Sequence, residues 1–115
     1  MNSVSYEKSK SFAVRIVKVH EYLRGEKKEY VMSRQLLKSG TSIGANLAEA
    51  ECAISRAEFL SKVYIALKET METLYWLELL HTTHYLTDFQ YTSLKRDCEE
   101  LRKILSSITK TMRED

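Results

Sequence analysis

The clearest pattern of apolar positions lies in the last quarter of the chain. Apolar residues recur there at alternating steps of three and four, at Tyr91, Leu94, Cys98, Leu101, Leu105, Ile108 and Met112. This heptad spacing is typical of a helix that packs one stripe against its neighbours in a bundle. It predicts a helix over about residues 88–113, whose start Thr87 or Asp88 can cap.

A second predicted helix covers about residues 55–84 and is apolar on several sides. Ser55 and Glu58 have the spacing of a capping box at its start. Three apolar lines follow, one of Phe59, Val63, Ala66, Leu74 and Leu77, one of Leu60, Tyr64, Leu67 and Met71, and one of Trp76 and Leu80. A helix in a monomeric four-helix bundle needs one buried face. We therefore expect this helix to pack against another subunit as well.

The N-terminal segment predicts a further helix over about residues 5–23. Its apolar stripe is formed by Phe12, Ile16, Val19 and Leu23. The charged stretch RGEKKE that follows contains a glycine and predicts a helix end and a turn.

The stretch SGTSIGANLAEAE, residues 39–51, mixes helix-forming and turn-forming residues. Its glycines fall within apolar stripes, one formed by Leu36, Gly40, Ile43, Leu47 and Ala50, the next by Leu37, Gly44 and Ala48. A helical glycine costs about 1 kcal/mol relative to alanine, which is tolerable where the missing side chain lets another helix come close. We predict one helix over about residues 30–53. A loop that divides two short helices near Ser39 and Gly40 is the alternative.

Polar residues on two of these helices predict a seam or an interface. Ser42, Asn46 and Glu49 follow one helical line, which we expect to meet a neighbouring helix and hydrogen-bond to it. Glu69 and Glu72 are predicted to accept hydrogen bonds across a helix interface, from groups such as Asn46 or Tyr75. The alternative is a buried carboxylate pair in which one pKa is raised.

The four predicted helices are joined by short links, and no strand signal is present. Proline is absent from the 115 residues, which suits long uninterrupted helices. The sequence thus predicts one all-α domain over residues 1–115, an up-down-up-down four-helix bundle with left-handed packing.

Composition and charge limit the classes of function. The longest apolar run is five residues, the start has no signal-peptide pattern, and Cys52 and Cys98 read as reduced thiols. A cytoplasmic protein without a membrane segment is therefore predicted.

Residues 1–40 carry nine basic and four acidic side chains. A set of possible nucleic-acid contacts lies there, formed by Lys8, Arg15, Lys18, Arg34 and Lys38. Its alternative is a solvated face that meets acidic surface on a neighbour.

No constellation predicts catalysis, a cofactor, a metal or a small-molecule substrate. The pair Glu78 and His81 matches half of a di-metal pattern, but the second Glu-x-x-His is missing. Together with His81, His84 makes a surface metal pair conceivable. The alternative is that both histidines are solvated at the end of a helix. Tyr75 and Trp76 could stack on bases, but two aromatics on such an apolar helix favour an interface.

The chain also resembles the 23S rRNA intervening sequence proteins, a family of four-helix bundles. The resemblance rests on QLLKSGTSIGANLAEAE (35–51) and ALKETMETLYWLELL (66–80). Matching positions in the first motif are Gln35, Leu36, Ser39, Ser42, Asn46, Leu47 and Glu49, and in the second Glu69, Glu72, Tyr75 and Trp76. Relatives often carry proline in the link where this chain has RGEKKE.

The resemblance implies a homo-oligomer, a pentameric ring, with no established enzymatic activity. A related bundle is similar to the accessory protein of diversity-generating retroelements, a basic pentamer that works with nucleic acid. The predicted function is thus a non-enzymatic oligomeric scaffold. The alternative is an RNA- or DNA-binding accessory protein that uses the basic N-terminal half.

Overall fold

The structure, a computed structural model, describes residues 3–114. It contains four helices, α1 (Ser3–Gly25), α2 (Met32–Ala50), α3 (Arg56–Thr82) and α4 (Asp88–Glu114). Within residues 3–114 no strand is present, so the all-α prediction is confirmed. Because α2 continues through Ser39 and Gly40, the alternative of a dividing loop is wrong.

The helices form a bundle in which each helix packs against two others. Helices α1 and α3 both contact α2 and α4, and the contact between α1 and α4 is much the thinnest. Short links make consecutive helices antiparallel, which gives the predicted up-down-up-down four-helix bundle. The molecule is elongated, 46 Å by 21 Å by 20 Å. In the described chain the backbones of the diagonal pair α1 and α3 do not approach each other, and their side chains share the core.

Apolar side chains from all four helices fill the space between them. Each helix buries one stripe, as its 3.6-residue period requires. The core comprises Phe12, Ile16, Leu23, Leu36, Ile43, Leu47, Ala50, Val63, Ala66, Leu77, Leu80, Leu86, Leu94, Cys98, Leu101 and Leu105. The heptad positions predicted on the last helix are therefore confirmed from Leu94 to Leu105.

Helix α1 lies close to α2 at Gly40 and Gly44. A Cβ atom added at Gly40 would lie 2.9 Å from both Cγ atoms of Ile16, and one added at Gly44 would lie 3.0 Å from the Ser9 Oγ. A methyl group at Gly40 would overlap Ile16, and one at Gly44 would require a small shift of the Ser9 side chain. The prediction that these glycines admit a neighbouring helix is confirmed.

The link between α1 and α2 is held by a capping contact that the sequence did not predict. Lys28 takes a left-handed backbone conformation (φ 56°). The chain then turns so that the carboxylate of Glu29 accepts hydrogen bonds from the backbone N–H groups of Ser33 (2.7 Å) and Val31 (3.2 Å). The Ser33 hydroxyl donates in return to the Glu29 carbonyl at 2.8 Å. Because Glu29 satisfies these first N–H groups, α2 begins at Met32, later than predicted.

The starts of α3 and α4 are capped by hydroxyl side chains. Ser55 accepts a hydrogen bond from the Glu58 N–H at 3.0 Å, as predicted, and the Glu58 carboxylate accepts one from the Ile54 N–H. Thr87 and Gln90 form a reciprocal capping box before α4, with distances of 3.1 Å and 2.8 Å. Of the two predicted caps of α4, the structure therefore uses Thr87.

Replacing Gly40 with alanine should destabilise the bundle. Alanine gains about 1 kcal/mol of helix propensity, but the new methyl group overlaps Ile16, and overpacking of this kind costs about 1–3 kcal/mol. The net loss is measured as a lower free energy of unfolding in urea. Gly25→Ala is the matched control, because no atom lies within 4 Å of its added Cβ. Equal stability changes at both positions would contradict close packing at Gly40.

Candidate interaction surfaces

The predicted polar line on α2 lies along the edge of α2 that borders α3. Glu49 accepts a hydrogen bond from the Lys62 ammonium of α3 at 2.8 Å, and this contact raises the pKa of Lys62. Ser42 donates to the carbonyl of Lys38 and Asn46 donates to the carbonyl of Ser42. Both are half-buried. Within the chain, Glu49 bonds across helices, whereas Ser42 and Asn46 donate to backbone carbonyls of α2 itself.

A second polar contact between α2 and α3 is more deeply buried than the polar line of Ser42, Asn46 and Glu49. The hydroxyl oxygens of Ser39 and Thr73 are 2.9 Å apart, and both residues are fully buried. The Thr73 hydroxyl also lies 2.7 Å from the Glu69 carbonyl. Ser39 sits among the apolar residues of the α2 stripe, and this position was the only sequence signal for the contact. It links α2 to α3 in the interior, and each of the two hydroxyls also has a carbonyl oxygen of its own helix within hydrogen-bond distance.

The two carboxylates predicted on α3 have different surroundings. Partial burial and then the neighbouring Glu72 carboxylate raise the pKa of Glu69, while Lys38 and Lys68 lower it. The Glu72 carboxylate accepts a hydrogen bond from the Trp76 indole N–H, one turn along the same helix, at 3.0 Å. Glu69 is half-buried and Glu72 is exposed.

Aromatic and aliphatic side chains are exposed along the outer side of α3. Tyr75 and Trp76 meet edge to face, with ring centroids 5.0 Å apart. Tyr75 is 58% exposed and Met71 is 51% exposed, while Leu79 is half-buried beside them. We call Met71, Glu72, Tyr75 and Glu78 the α3 face. From residue 69 to the end of α3 the charged side chains are three glutamates, and no lysine or arginine occurs.

The five predicted nucleic-acid contacts do not gather on one surface. Lys8 and Arg15 of α1 form ion pairs with α4, to Glu100 at 2.8 Å and to Asp97 at 2.6 Å. Arg34 and Lys38 are exposed on α2. Lys38 lies close enough to Glu69 for its charge to act on the pKa of that residue. Two of the five cations thus have carboxylate partners within the chain.

Lys18 lies in a cleft between α1 and α4, the pair of neighbouring helices with the thinnest contact. The cleft measures about 310 Å³. Its wall includes Arg15, held by the Ser93 hydroxyl at 2.9 Å, and Phe89, which is 84% exposed. Val14 and Val17 stand on the outside of α1, 51% and 40% exposed. We call Val14, Val17, Lys18 and Phe89 the α1 face.

Of the two histidines considered as metal ligands, His81 contacts other side chains. His81 lies 2.6 Å from the Asp88 carboxylate and stacks on the Tyr91 ring at 4.2 Å. His84 has the left-handed backbone that ends α3 (φ 69°). In residues 3–114 no group of three or more histidine, cysteine, aspartate or glutamate side chains is arranged to hold a metal ion. A membrane-spanning helix is likewise not found among the described helices.

The fold and its surfaces define an all-α, four-helix-bundle protein whose polar interior groups serve helix packing. The chain belongs to the 23S rRNA-intervening sequence protein family, whose profile matches residues 1–107. This confirms the resemblance noted from the sequence.

A crystal structure of similar sequence and fold comes from Bacteroides thetaiotaomicron VPI-5482. It is described as a protein with unknown function from the S23 ribosomal protein family, solved at 1.70 Å resolution. The two chains share 57% sequence identity and superpose with a TM-score of 0.91, covering 92% of this chain and 98% of that one. A search of curated proteins gave no significant match. The comparisons thus establish the family and the fold, and nothing in them points to catalysis.

The two cysteines should differ sharply in reactivity. Burial raises the pKa of the Cys98 thiol to about 12, so it is uncharged at neutral pH, and its sulfur lies 3.5 Å from the Thr70 carbonyl. Cys52 is exposed after the end of α2. Because the thiolate is the reactive form, a disulfide reagent at pH 8 should modify one thiol per native chain and two per unfolded chain. Rapid modification of both in the native protein would contradict the burial of Cys98.

Proposed function

We propose that the protein is a non-enzymatic, cytoplasmic interaction scaffold that assembles into a homo-oligomeric ring of about five subunits. The observation that carries this proposal is the α3 face. Helix α3 buries one stripe in its own bundle and still presents Met71 and Tyr75 to solvent on the outside. A neighbouring subunit that covered this strip would gain about 25 cal/mol for each Å² of apolar surface removed from water.

The polar groups of the interior support a structural role. Thr70 donates a hydrogen bond to the Ala66 carbonyl at 2.8 Å and Thr109 donates to the Ser106 carbonyl at 2.9 Å. Among the described residues, every buried side-chain nitrogen or oxygen has a hydrogen-bond partner. These groups therefore stabilise the bundle itself.

Nucleic-acid binding is the second candidate function, and the basic excess in the N-terminal half favours it. A ring would repeat Lys18 and Arg34 in each subunit and so multiply the attraction to a polyanion. The ion pairs of Lys8 and Arg15 with α4 weaken this candidate, because those cations already have carboxylate partners. The scaffold is therefore the better supported of the two.

Light scattering of the purified protein, alone and with a mixed RNA fragment, tests both candidates. The scaffold predicts a mass of about five chains that RNA does not change. A mass that rises with RNA at low salt and falls back at moderate salt would favour the nucleic-acid candidate, because phosphate contacts release counterions. A monomer of 13.4 kDa would contradict the oligomeric scaffold.

Replacing Tyr75 with serine should weaken the assembly. The substitution removes an exposed aromatic ring from the α3 face and leaves the bundle core untouched, so the circular-dichroism spectrum should not change. Buried aromatic anchors typically contribute 2 kcal/mol or more to an interface, so the dissociation constant should rise about thirtyfold in sedimentation experiments.

Ile54→Ser is the matched control for this substitution. Ile54 is 94% exposed in the link between α2 and α3, away from the α3 face. Its replacement should leave the sedimentation profile as it is. An unaltered profile for Tyr75→Ser would remove the α3 face from the account of assembly.

A further inference from the structure

We infer that the cleft between α1 and α4 binds a small carboxylate with an apolar body. This site goes beyond the proposed scaffold and does not depend on it, because the cleft lies within one subunit. Helix α1 approaches α2 closely at Gly40 and Gly44, and its contact with α4 is the thinnest of the four helix contacts. The space between α1 and α4 measures about 310 Å³, at the lower end of the range for small-molecule sites, about 300–1,000 Å³.

The inner surface of the cleft is apolar. Leu86 and Leu94 are buried core residues that line it, and Val19 and Tyr22 of α1 are half-buried beside them. Phe89 also lines the cleft but keeps 84% of its surface exposed. A ligand with an apolar body that lay against these side chains would remove apolar surface from water, which favours binding.

The polar groups of the cleft are hydrogen-bond donors. Arg15 is held by three hydrogen bonds, to the Asp97 carboxylate at 2.6 Å and to the Ser93 hydroxyl and carbonyl at 2.9 Å and 3.3 Å. Because the Ser93 hydroxyl accepts from Arg15, its own hydrogen is available to donate. The Gln90 side-chain carbonyl accepts from the Thr87 N–H at 2.8 Å, which leaves the Gln90 amide NH₂ for a ligand. A ligand group that only accepts hydrogen bonds, such as a carboxylate, matches this set.

The charges around the cleft leave one cation for a ligand. Of the described residues that line it, Arg15 and Lys18 are basic and none is acidic. Asp97 balances the charge of Arg15. Glu21, one turn beyond Lys18, is exposed and does not line the cleft. Within residues 3–114 the Lys18 ammonium forms no ion pair. Lys18 therefore supplies the one positive charge that a monocarboxylate requires.

The position of these groups sets the orientation of the ligand. Lys18 and Phe89 belong to the exposed α1 face, whereas Leu86 and Leu94 are buried. The apolar body therefore lies against the two leucines, and the carboxylate stays at the exposed rim beside Lys18. A carboxylate at the rim keeps part of its hydration, so the cost of removing its charge from water remains small.

Binding of naphthaleneacetate, compared with the neutral naphthaleneacetamide, tests the inference. The two probes share one ring system, and only the first carries a charge. Their dissociation constants are measured by ligand-observed NMR with the full chain in the form in which it purifies. Naphthaleneacetate should bind with a millimolar or lower dissociation constant, as expected for a probe of this size. The amide should bind about fivefold more weakly, because an exposed ion pair contributes up to about that factor.

Lys18→Gln, with Lys10→Gln as its matched control, tests where the carboxylate binds. Both substitutions remove one positive charge from an exposed position of α1, and Lys10 does not line the cleft. Lys18→Gln should weaken the binding of naphthaleneacetate about fivefold and leave that of the amide unchanged. Lys10→Gln should change neither.

Phe89→Ala tests where the apolar body binds. It should weaken the binding of both probes about fivefold, because it removes an aromatic ring that contacts them. Phe89 is largely exposed, so the circular-dichroism spectrum should not change.

Four outcomes would overturn the inference. No saturable binding of naphthaleneacetate shows that the cleft does not take this class of ligand. Equal binding of the two probes shows that no cation acts on the carboxylate. Equal losses in Lys18→Gln and Lys10→Gln indicate a general attraction to basic surface, and full binding by Phe89→Ala places the probes elsewhere. A monomeric parent protein that binds naphthaleneacetate as expected would contradict the scaffold and support this site, so the two fail separately.

Discussion

The approach of α1 to α2 at Gly40 and Gly44 determines how the rest of the bundle is arranged. Ile16 rests against the α2 backbone at a distance that leaves no room for a methyl group. Helix α1 is thereby drawn toward α2, and its contact with α4 is the thinnest of the four. The ion pairs of Lys8 and Arg15 bridge the remaining gap. Exposed pairs of this kind contribute about 0–1 kcal/mol each. Apolar packing against α2 therefore contributes most of the free energy that keeps α1 in the bundle.

The interior of the bundle is filled by packed side chains, so contacts with other molecules involve its outer surfaces. Core positions hold aliphatic side chains, and the few hydroxyls among them, such as Ser39 and Thr73, bond to each other or to helix carbonyls. The outer side of α3 and the outer side of α1 remain apolar in part. Packing inside the bundle and the proposed association outside it therefore use different faces of the same helices.

Features that depend on helical period alone could be predicted from the sequence. The stripe on α4, the core face of α1 and the placement of both glycines on apolar stripes all follow from spacing within one helix. The capping of α3 by Ser55 is equally local. The structure agrees with these predictions because the tertiary fold only has to bring already amphipathic helices together.

Features that depend on the register between helices could not be predicted in this way. The contact of Ser39 with Thr73 and the ion pair of Arg15 with Asp97 join residues far apart in the sequence. The pattern within a single helix therefore could not predict that Lys8 and Arg15 have carboxylate partners on α4. The cap formed by Glu29 was missed for another reason. It depends on the backbone turn at Lys28, which the charged stretch RGEKKE does not specify.

The measurement that tests the central constraint most directly is a double-mutant cycle between Ile16 and Gly40. The free energy of unfolding is measured in urea at one chain concentration for the parent protein, Gly40→Ala, Ile16→Ala and the double variant. Removing the Cγ atoms of Ile16 removes the overlap. Gly40→Ala should therefore destabilise the parent protein but be neutral or stabilising in the Ile16→Ala background. The same effect of Gly40→Ala in both backgrounds would show that α1 does not depend on the missing side chain at Gly40.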